Sequence, residues 1–504
     1  MPWRSLPSVS YSEAEVWAER PGGILIASVT PMPTLSLCMI VRDEEALLGD
    51  CLASVKGAVD EIIVVDTGSQ DATRRIATEA GAEVFEFPWC DDFAAARNAS
   101  LQHATGDWVL ILDGDERLAR ESGPILRRSL EGATFDCGLL RLHNAPSLGM
   151  DPESVLTWGT AHAEARRVPR LLRNVDGLAF VDPIHETATA WLRRRGSRFA
   201  PIEAHIIHYG ATEEIVLRKS KAERNVRILH LRVARDPTDV VAYAYLTLQL
   251  IGLGAAAEAA ETADRGWSHV SRVSINIAPG IQCLAAGRVP LLLSAGRTVD
   301  ARETIRVARS REGNSTDLMF LDGLVSEAEA SLEGVTVEAR RRSLELARES
   351  YRDCIRTVSS PLATSYLAGA SSWLGLTHLG TVELLLGHPA EASAVYERAL
   401  AERPGELEPR LGLAEAMLDL GDAARALVHL DGLLEGPKGD VGEIARRNAM
   451  RAPPDTWILA AAAANELGFS SNARLFQRRA CALLVNGFVA RHRRLRLIEL
   501  QKSS

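Results

Sequence analysis

Two carboxylates separated by one glycine, Asp113-Gly114-Asp115, follow directly on the apolar run Trp108 to Leu112. The glycine lets the backbone bend tightly, so both carboxylates can face one point and hold a divalent cation against a diphosphate. An Asp-Gly turn after a strand is also common with no ligand, so the pair alone fits a turn as well as a metal site. Other polar residues stand in the same relation to apolar runs. Arg42 and Asp43 follow Leu35 to Val41, and Asp66 and Thr67 follow Ile62 to Val65. Arg97 and Asn98 lie inside a further segment, Phe93 to Ala104, where Arg97 could instead pair with Asp91 or Asp92 at the surface.

The elements that must position these residues are readable from the apolar pattern. Leu35–Val41, Ile62–Val65, Val84–Phe87 and Trp108–Leu112 read as strands, and continuous apolar strands are those buried on both faces. Between them, Leu47, Leu48, Cys51, Leu52 and Val55 form one helical stripe, and residues 71–80 and 93–104 read as helices. Strands alternating with helices over short joints predict an α/β domain with a mostly parallel, Rossmann-like sheet. Ligands gather at the carboxyl ends of such strands, and Arg42, Asp43, Asp66, Thr67, Asp113 and Asp115 all fall there. No GxGxxG follows the first strand and no GxxxxGK[ST] occurs, so ordinary dinucleotide and P-loop sites drop out.

The blocks LCMIVRDEEALLGDCLASV, VDEIIVVDTGSQDAT and DDFAAARNASLQHATGDWVLILDGDERL, in this order, resemble the nucleotide-sugar half of family 2 glycosyltransferases with the GT-A fold. The resemblance covers about residues 34–210. It implies a nucleotide-sugar donor, a UDP-sugar foremost, and a divalent cation, Mn2+ or Mg2+, as cofactor. The donor nucleotide is then expected against Val41, Arg42, Glu44, Asp66, Arg97, Asn98, Asp113 and Gly114, with Asp66 near base and ribose. The cation is expected on Asp113 and Asp115. One departure bears on base selectivity: the second strand ends in Asp-Thr-Gly-Ser, where many members carry two acidic residues.

Further along come a helix over about 121–130, an apolar strand at Cys137–Leu142, and a polar loop over about 144–163. The phrases RVPRLLRN, PIHE and IIHYG follow, the last in an alternating strand from Ile202 to Gly210. In this order they resemble a bacterial subset of family 2 with helical-repeat tails, which includes peptide S-glycosyltransferases. An inverting transfer needs a base for the acceptor proton. Glu186 is the candidate, with His185 beside it and Asp182 as the alternative. His208 could reach the cation, since neutral imidazole is a good ligand. Each histidine could instead be structural, and His185-Glu186 could cap a helix. Arg170 and Arg173 could touch phosphate or acceptor, or lie on a solvated strand face.

From about residue 213 strand signals vanish and helical stripes dominate. Leu385 to Ala392 aligns with Asp419 to Ala426 at the 34-residue tetratricopeptide period. Gly387/Ala392, Gly421/Ala426, Gly254/Ala259, Gly296/Ala301 and Gly468/Ala473 repeat one spacing, which suggests small residues where antiparallel helices approach. Irregular spacing elsewhere points to insertions such as residues 436–439 and 452–454. The expected organisation is an extension over 1–33, a GT-A domain over 34–212 and a tetratricopeptide-like helical domain over 213–504. Such solenoids offer a groove for a peptide or protein acceptor, or a face for a homodimer.

Composition bounds the rest. A chain of 504 residues exceeds one ordinary core, and a net charge of −9 argues against nucleic acid as the main partner. Seven scattered cysteines with no CxxC fit a reducing compartment. No apolar run reaches the roughly 18 residues of a membrane span, and Gly23–Ala27 is too short for a signal peptide; a cytoplasmic location is expected. The basic run Arg491–Arg496 could touch an acidic membrane or be a solvated helix end. Two other classes compete with a transferase. An inactive nucleotide-sugar-binding scaffold would have no use for acidic groups on the ligand edge. A nucleotidyltransferase would want a glycine-rich basic loop where Arg42-Asp-Glu-Glu45 stands.

Overall fold

The computed structural model describes residues 32–157, 165–210, 212, 221–272, 280–357, 365–434 and 454–469, with four further positions up to Gln477. The proposed extension before Met32, the basic run 491–496 and the loops at 436–439 and 452–453 lie outside the described residues.

The first half runs β1 Leu35–Val41, α1 Leu48–Ser54, β2 Glu61–Asp66, α2 Thr73–Glu79, β3 Glu83–Glu86, α3 Phe93–His103 and β4 Trp108–Ile111. It continues β5 Glu116–Leu118, α4 Ser122–Leu130, β6 Cys137–Asn144, α5 Pro152–Thr157, β7 Arg166–Arg173, α6 Thr189–Arg194 and β8 Phe199–His208. The eight strands form one sheet in the order β3-β2-β1-β4-β7-β6-β8-β5. β1 pairs in parallel with β2 and β4, β2 with β3, and β6 with β8. β4/β7, β6/β7 and β5/β8 are antiparallel. The chain winds outward through β1, β2 and β3, then returns to place β4 on the other side of β1. That reversal makes a switch point whose crevice opens at the carboxyl ends of β1 and β4.

Alternation along the strands explains why both faces are covered. Leu35, Leu37, Met39 and Val41 of β1, with Trp108, Leu110 and Leu112, enter a core shared with α1, α2 and α4. Cys38, Ile63, Val109 and Ile111 point the other way, into a core with α3 and α6. Successive side chains of a strand face opposite sides, so a run apolar at every position needs both layers. The short strand β5 has no apolar run to announce it. It forms by pairing with the end of β8, Glu116 opposite His208.

The second half is helical throughout its described residues: α7 Lys221–Arg235, α8 Val240–Gly252, α9 Ala256–Trp267, α10 Gly280–Ser294, α11 Thr298–Glu312 and α12 Thr316–Ala330. Then follow α13 Val337–Arg356, α14 Trp373–Leu385, α15 Pro389–Glu402, α16 Leu407–Asp419, α17 Ala423–Leu434 and α18 Pro454–Glu466. α14 and α16 start 34 residues apart, as do α15 and α17, the period expected from sequence. The recurring glycines act differently from the expectation of close approach. Gly254, Gly296, Gly387, Gly421 and Gly468 all have φ between 73° and 83°, and nothing lies within 4 Å of a Cβ built on any of them. They end one helix in the left-handed conformation that L side chains disfavour. The alanines five residues later are the packed members, each buried. Close approach belongs to other glycines: a Cβ on Gly412 would lie 2.2 Å from the Tyr396 ring.

The two halves share a core. Ile184, Trp89 and Phe93 pack with Ile228, Leu229, Val233, Tyr243 and Leu246 of α7 and α8. Among the described residues no helix is long and apolar enough to cross a membrane.

Candidate active site

A cleft of about 290 Å³ opens at the switch point, lined by Val41, Arg42, Glu44, Thr67, Trp89, Phe93, Arg97, Asp113, Gly114, Asp115, Ile184, His185, Glu186, His208, Lys221, Arg224 and Asn225. Its first wall is two strand-end loops laced together. The Asp43 amide donates to Ser69 Oγ at 3.0 Å, the Glu44 amide to Thr73 Oγ1 at 2.7 Å, and the Gln70 amide to Asp43 Oδ1 at 2.8 Å. Asp43 takes φ 51° to do so. Asp66 is part of this bracing: it is buried, and its carboxylate accepts the amides of Gly68 and Ser69. The neighbouring Thr67, rather than Asp66, is among the cleft residues.

At the floor, Arg97 is buried between two acids. Its Nε donates to Glu186 Oε1 at 3.0 Å and its Nη2 bonds Asp113 Oδ1. The surface pairing with Asp91 or Asp92 does not form: Asp91 binds Arg227 and the Trp89 indole, and Asp92 caps α3. Asn98, next in sequence, is committed elsewhere. Its side-chain amide donates to the Phe180 carbonyl at 2.9 Å and accepts the Phe180 amide at 2.8 Å, and it is not a lining residue of the cleft.

The other Asp113 oxygen accepts from Arg170 Nη2 at 3.1 Å, and the same nitrogen donates to Glu116 Oε1 at 2.6 Å. Glu116 Oε2 in turn accepts the Asp113 amide at 2.9 Å. Burial opposes the charge on Asp113, but Arg97 and Arg170 outweigh it and hold the carboxyl well below its usual range. Glu116 goes the other way, pushed up by burial against the pull of Arg170. A buried network of this kind is stable only when each charge is matched. Glu116 was not foreseen as a site residue; its only sequence signal was adjacency to the acidic pair.

Asp115 is arranged differently. His208 Nε2 lies 3.7 Å from its Oδ1, and Lys221 Nζ donates to its Oδ2 at 2.9 Å. The His208 Nδ1 lies 2.9 Å from Asn144 Oδ1; a proton carried on Nδ1 for that bond leaves the Nε2 lone pair toward Asp115. Burial lowers the His208 pKa, against the opposing pull of Asp115, so the ring is neutral at neutral pH. Gly210 completes the cradle: a Cβ there would sit 2.1 Å from Asp115 Oδ2 and 2.7 Å from His208 Nε2. What brings these groups together is the β5/β8 pairing, extended by the Tyr209 amide donating to the Asp115 carbonyl at 2.9 Å.

These residues suit a divalent cation. A carboxylate and a neutral, hydrogen-bonded imidazole are good ligands, and Mg2+-type sites commonly use one or two protein groups with phosphate oxygens completing the shell. Among the described residues no cluster of three or more His, Cys, Asp or Glu could hold a metal unaided.

Glu186 sits on a tight loop, Asp182 to Glu186, pinched by the antiparallel bridge between Val181 and Thr187. Asp182 and His185 have φ of 77° and 55°. Asp182 is outside the cleft lining and pairs with Arg232 Nη2 at 2.9 Å; burial raises its pKa while Arg232 opposes. His185 stacks on Tyr245 at 3.8 Å between ring centroids. Burial, helped by Arg232, lowers its pKa to about 4, so it is a neutral ring beside Glu186. Three buried nitrogens of cleft residues have no hydrogen-bond partner: Arg97 Nη1, His185 Nε2 and Arg224 Nε.

Residues 36–157 match the glycosyl transferase family 2 profile, and residues 383–445 match a tetratricopeptide repeat. A TPR repeat-containing protein of Synechococcus elongatus is 40% identical over 231 residues, 44% of this chain and 52% of that protein. The SPbeta prophage-derived glycosyltransferase SunS of Bacillus subtilis is 28% identical over 210 residues, 41% of this chain and 46% of its own. Among solved structures, glucosyl-3-phosphoglycerate synthase from Mycobacterium tuberculosis, in complex with Mn2+, UDP-glucose and phosphoglyceric acid, is 28% identical. That likeness covers 22% of this chain and 44% of that one, with a TM-score of 0.19 that is too low to bear on the fold. The chain spans about half the length of the curated relatives it matches.

Proposed function

The chain carries a family 2 glycosyltransferase domain and tetratricopeptide repeats, and we propose that it transfers a sugar from a nucleotide-sugar donor, a UDP-sugar foremost, with inversion at the anomeric carbon. The acceptor heteroatom attacks that carbon, and its bond to the β-phosphate oxygen breaks. The nucleoside diphosphate leaves with the electron pair, and the acceptor proton passes to Glu186. Arg97 fixes the Glu186 carboxylate by the 3.0 Å contact. Neutral His185 beside it orients the acceptor without adding charge.

Asp115 and His208 would hold Mn2+ or Mg2+, which when bound neutralises charge growing on the departing diphosphate. Asp113 is given a different part from the one first expected. With both oxygens already taken by Arg97 and Arg170, it organises the two arginines at the floor and leaves the metal to Asp115. The acceptor class is open among peptide, glycan and small molecule, and the repeats favour a peptide.

The observation carrying this reading is the facing of His208 Nε2 and Asp115 at 3.7 Å across Gly210, in the same cleft as Glu186. The test is donor hydrolysis by the full chain across UDP- and GDP-sugars, with Mn2+, Mg2+ or chelator. Release of nucleoside diphosphate that requires the metal is expected. No turnover and no binding with any donor would sink the reading.

A further inference from the structure

α7 belongs to the helical half, yet its first turns form one wall of the cleft. Lys221, Arg224 and Asn225 lie at i, i+3 and i+4, so they share a helical face. The same face continues into the buried Ile228, Leu229 and Arg232, which anchor it on the first half through the shared core. The cations at its head are thus held at the cleft and not merely near it.

Their partnering is incomplete. Lys221 Nζ donates to Asp115 Oδ2 and, at 3.4 Å, to the Gly210 carbonyl. Arg224 makes no ion pair with a carboxylate among the described residues. Its polar contact is Asn225 Oδ1 at 3.4 Å, its guanidinium lies 5.1 Å over the Phe93 ring, and its Nε is buried with no partner. Burial and the nearby Arg42 lower its pKa, with Glu44 opposing. Lys221, Arg224 and Arg42 converge on one side of the cleft; Lys221 pairs with Asp115 and Arg42 with Asp43, and Arg224 is the one of the three that makes no ion pair among the described residues. Such an arrangement suits an anion, because a buried guanidinium nitrogen left without a partner is costly until one arrives.

We propose that Lys221 and Arg224, supplied by the first helix of the repeat half, bind the diphosphate of the donor, so that the donor site is built jointly by both halves of the chain. This assignment rests on the nucleotide-sugar reading above. The Arg224 guanidinium lies over the Phe93 ring at the cleft wall, and the same helix that presents these cations also carries Arg232, which grips the loop of Glu186. Donor engagement is thereby tied to the seating of the repeat half.

The experiment is calorimetric titration of the full-length protein with UDP and UMP, and with GDP and GMP, in the presence of Mn2+. The readout is the diphosphate-over-monophosphate affinity ratio. Wild type should favour the diphosphate. Lys221→Met and Arg224→Met should each reduce that ratio about tenfold, while Lys221→Arg and Arg224→Lys retain most of it. Damage to the fold would weaken both nucleotides together and leave the ratio unchanged, which overturns the assignment, as does a ratio equal to wild type in both Met variants. If wild type binds no nucleoside diphosphate at all, the nucleotide-sugar reading falls and this one with it. If wild type favours the diphosphate and both Met variants keep that same ratio, this one alone falls.

Discussion

At the scale of residues, Asp115 and His208 lie 3.7 Å apart over Gly210, where a Cβ would run into both side chains. Gly210→Ala should leave the fold intact yet push a methyl into the cradle. Mn2+ affinity, measured by titration or by electron paramagnetic resonance, is expected to drop about 10–100-fold, the loss typical when a metal site's geometry is disturbed. Asp115→Ala should abolish metal-dependent donor hydrolysis, and unchanged activity in either variant would refute the metal role. Glu186→Gln keeps the shape and removes the base. Its transfer rate should fall about 10²–10⁴-fold with donor affinity retained, and full activity would remove the residue from that role. His185 carries a pH signature. Its folded pKa of about 4 lies below the ordinary 6.5, so the unfolded chain takes up a proton between those values that the folded chain refuses. Stability is therefore lost as pH falls through that window, by about 2 kcal/mol from this group between pH 7 and pH 5. His185→Phe, which preserves the stack on Tyr245, should flatten that part of the profile; urea midpoints of both proteins at the two pH values would show it.

At the scale of elements, the loop Asp182–Glu186 depends on a partner outside its own half. Arg232 donates to Asp182, to Asp239 at 2.7 Å and to the Ile184 carbonyl at 3.4 Å. Two non-glycine residues with positive φ in five positions cost of order 1–3 kcal/mol each, and such a loop persists only where its surroundings over-determine it. Arg232→Met is expected to lower kcat about tenfold or more while donor KM changes little, with Arg232→Lys recovering part of the loss. Steady-state kinetics would separate this from general destabilisation, which lowers the active fraction and is not rescued by charge alone. The short strand β5 is the other decisive element. Its three residues have no strand signal of their own, and their pairing with β8 carries Asp115 to His208.

At the scale of the whole molecule, the two halves are not independent modules joined by a tether. Ile184, Trp89 and Phe93 are partly or fully covered by α7 and α8, and Lys221 and Arg224 line the cleft. A piece comprising residues 34–212 alone would expose that apolar surface. It should express poorly or bind a hydrophobic dye strongly, and should lose nucleotide affinity relative to the full chain. A soluble, dye-silent piece with full UDP affinity would contradict this.

Local pattern made much of this visible in advance. Apolar runs buried on both faces announced β1, β2 and β4, and the polar residues ending them marked the crevice edge, because strand burial is a property of consecutive side chains. The 34-residue period and its glycines were likewise legible, although their reason, a left-handed helix end, shows only in the backbone angles. Long-range pairing decided the rest. Asp66 and Asn98 read as ligand groups in the sequence; the structure shows the first bonded to the amides of its own turn and the second to Phe180, which no local pattern announced. Glu116, Gly210, Lys221 and Arg224 carried little or no local signal and stand at the cleft or directly behind it. Their roles depend on which segments meet across the tertiary structure, and hydrogen-bond partners about a hundred residues away, such as Lys221 for Asp115, leave no periodicity to read.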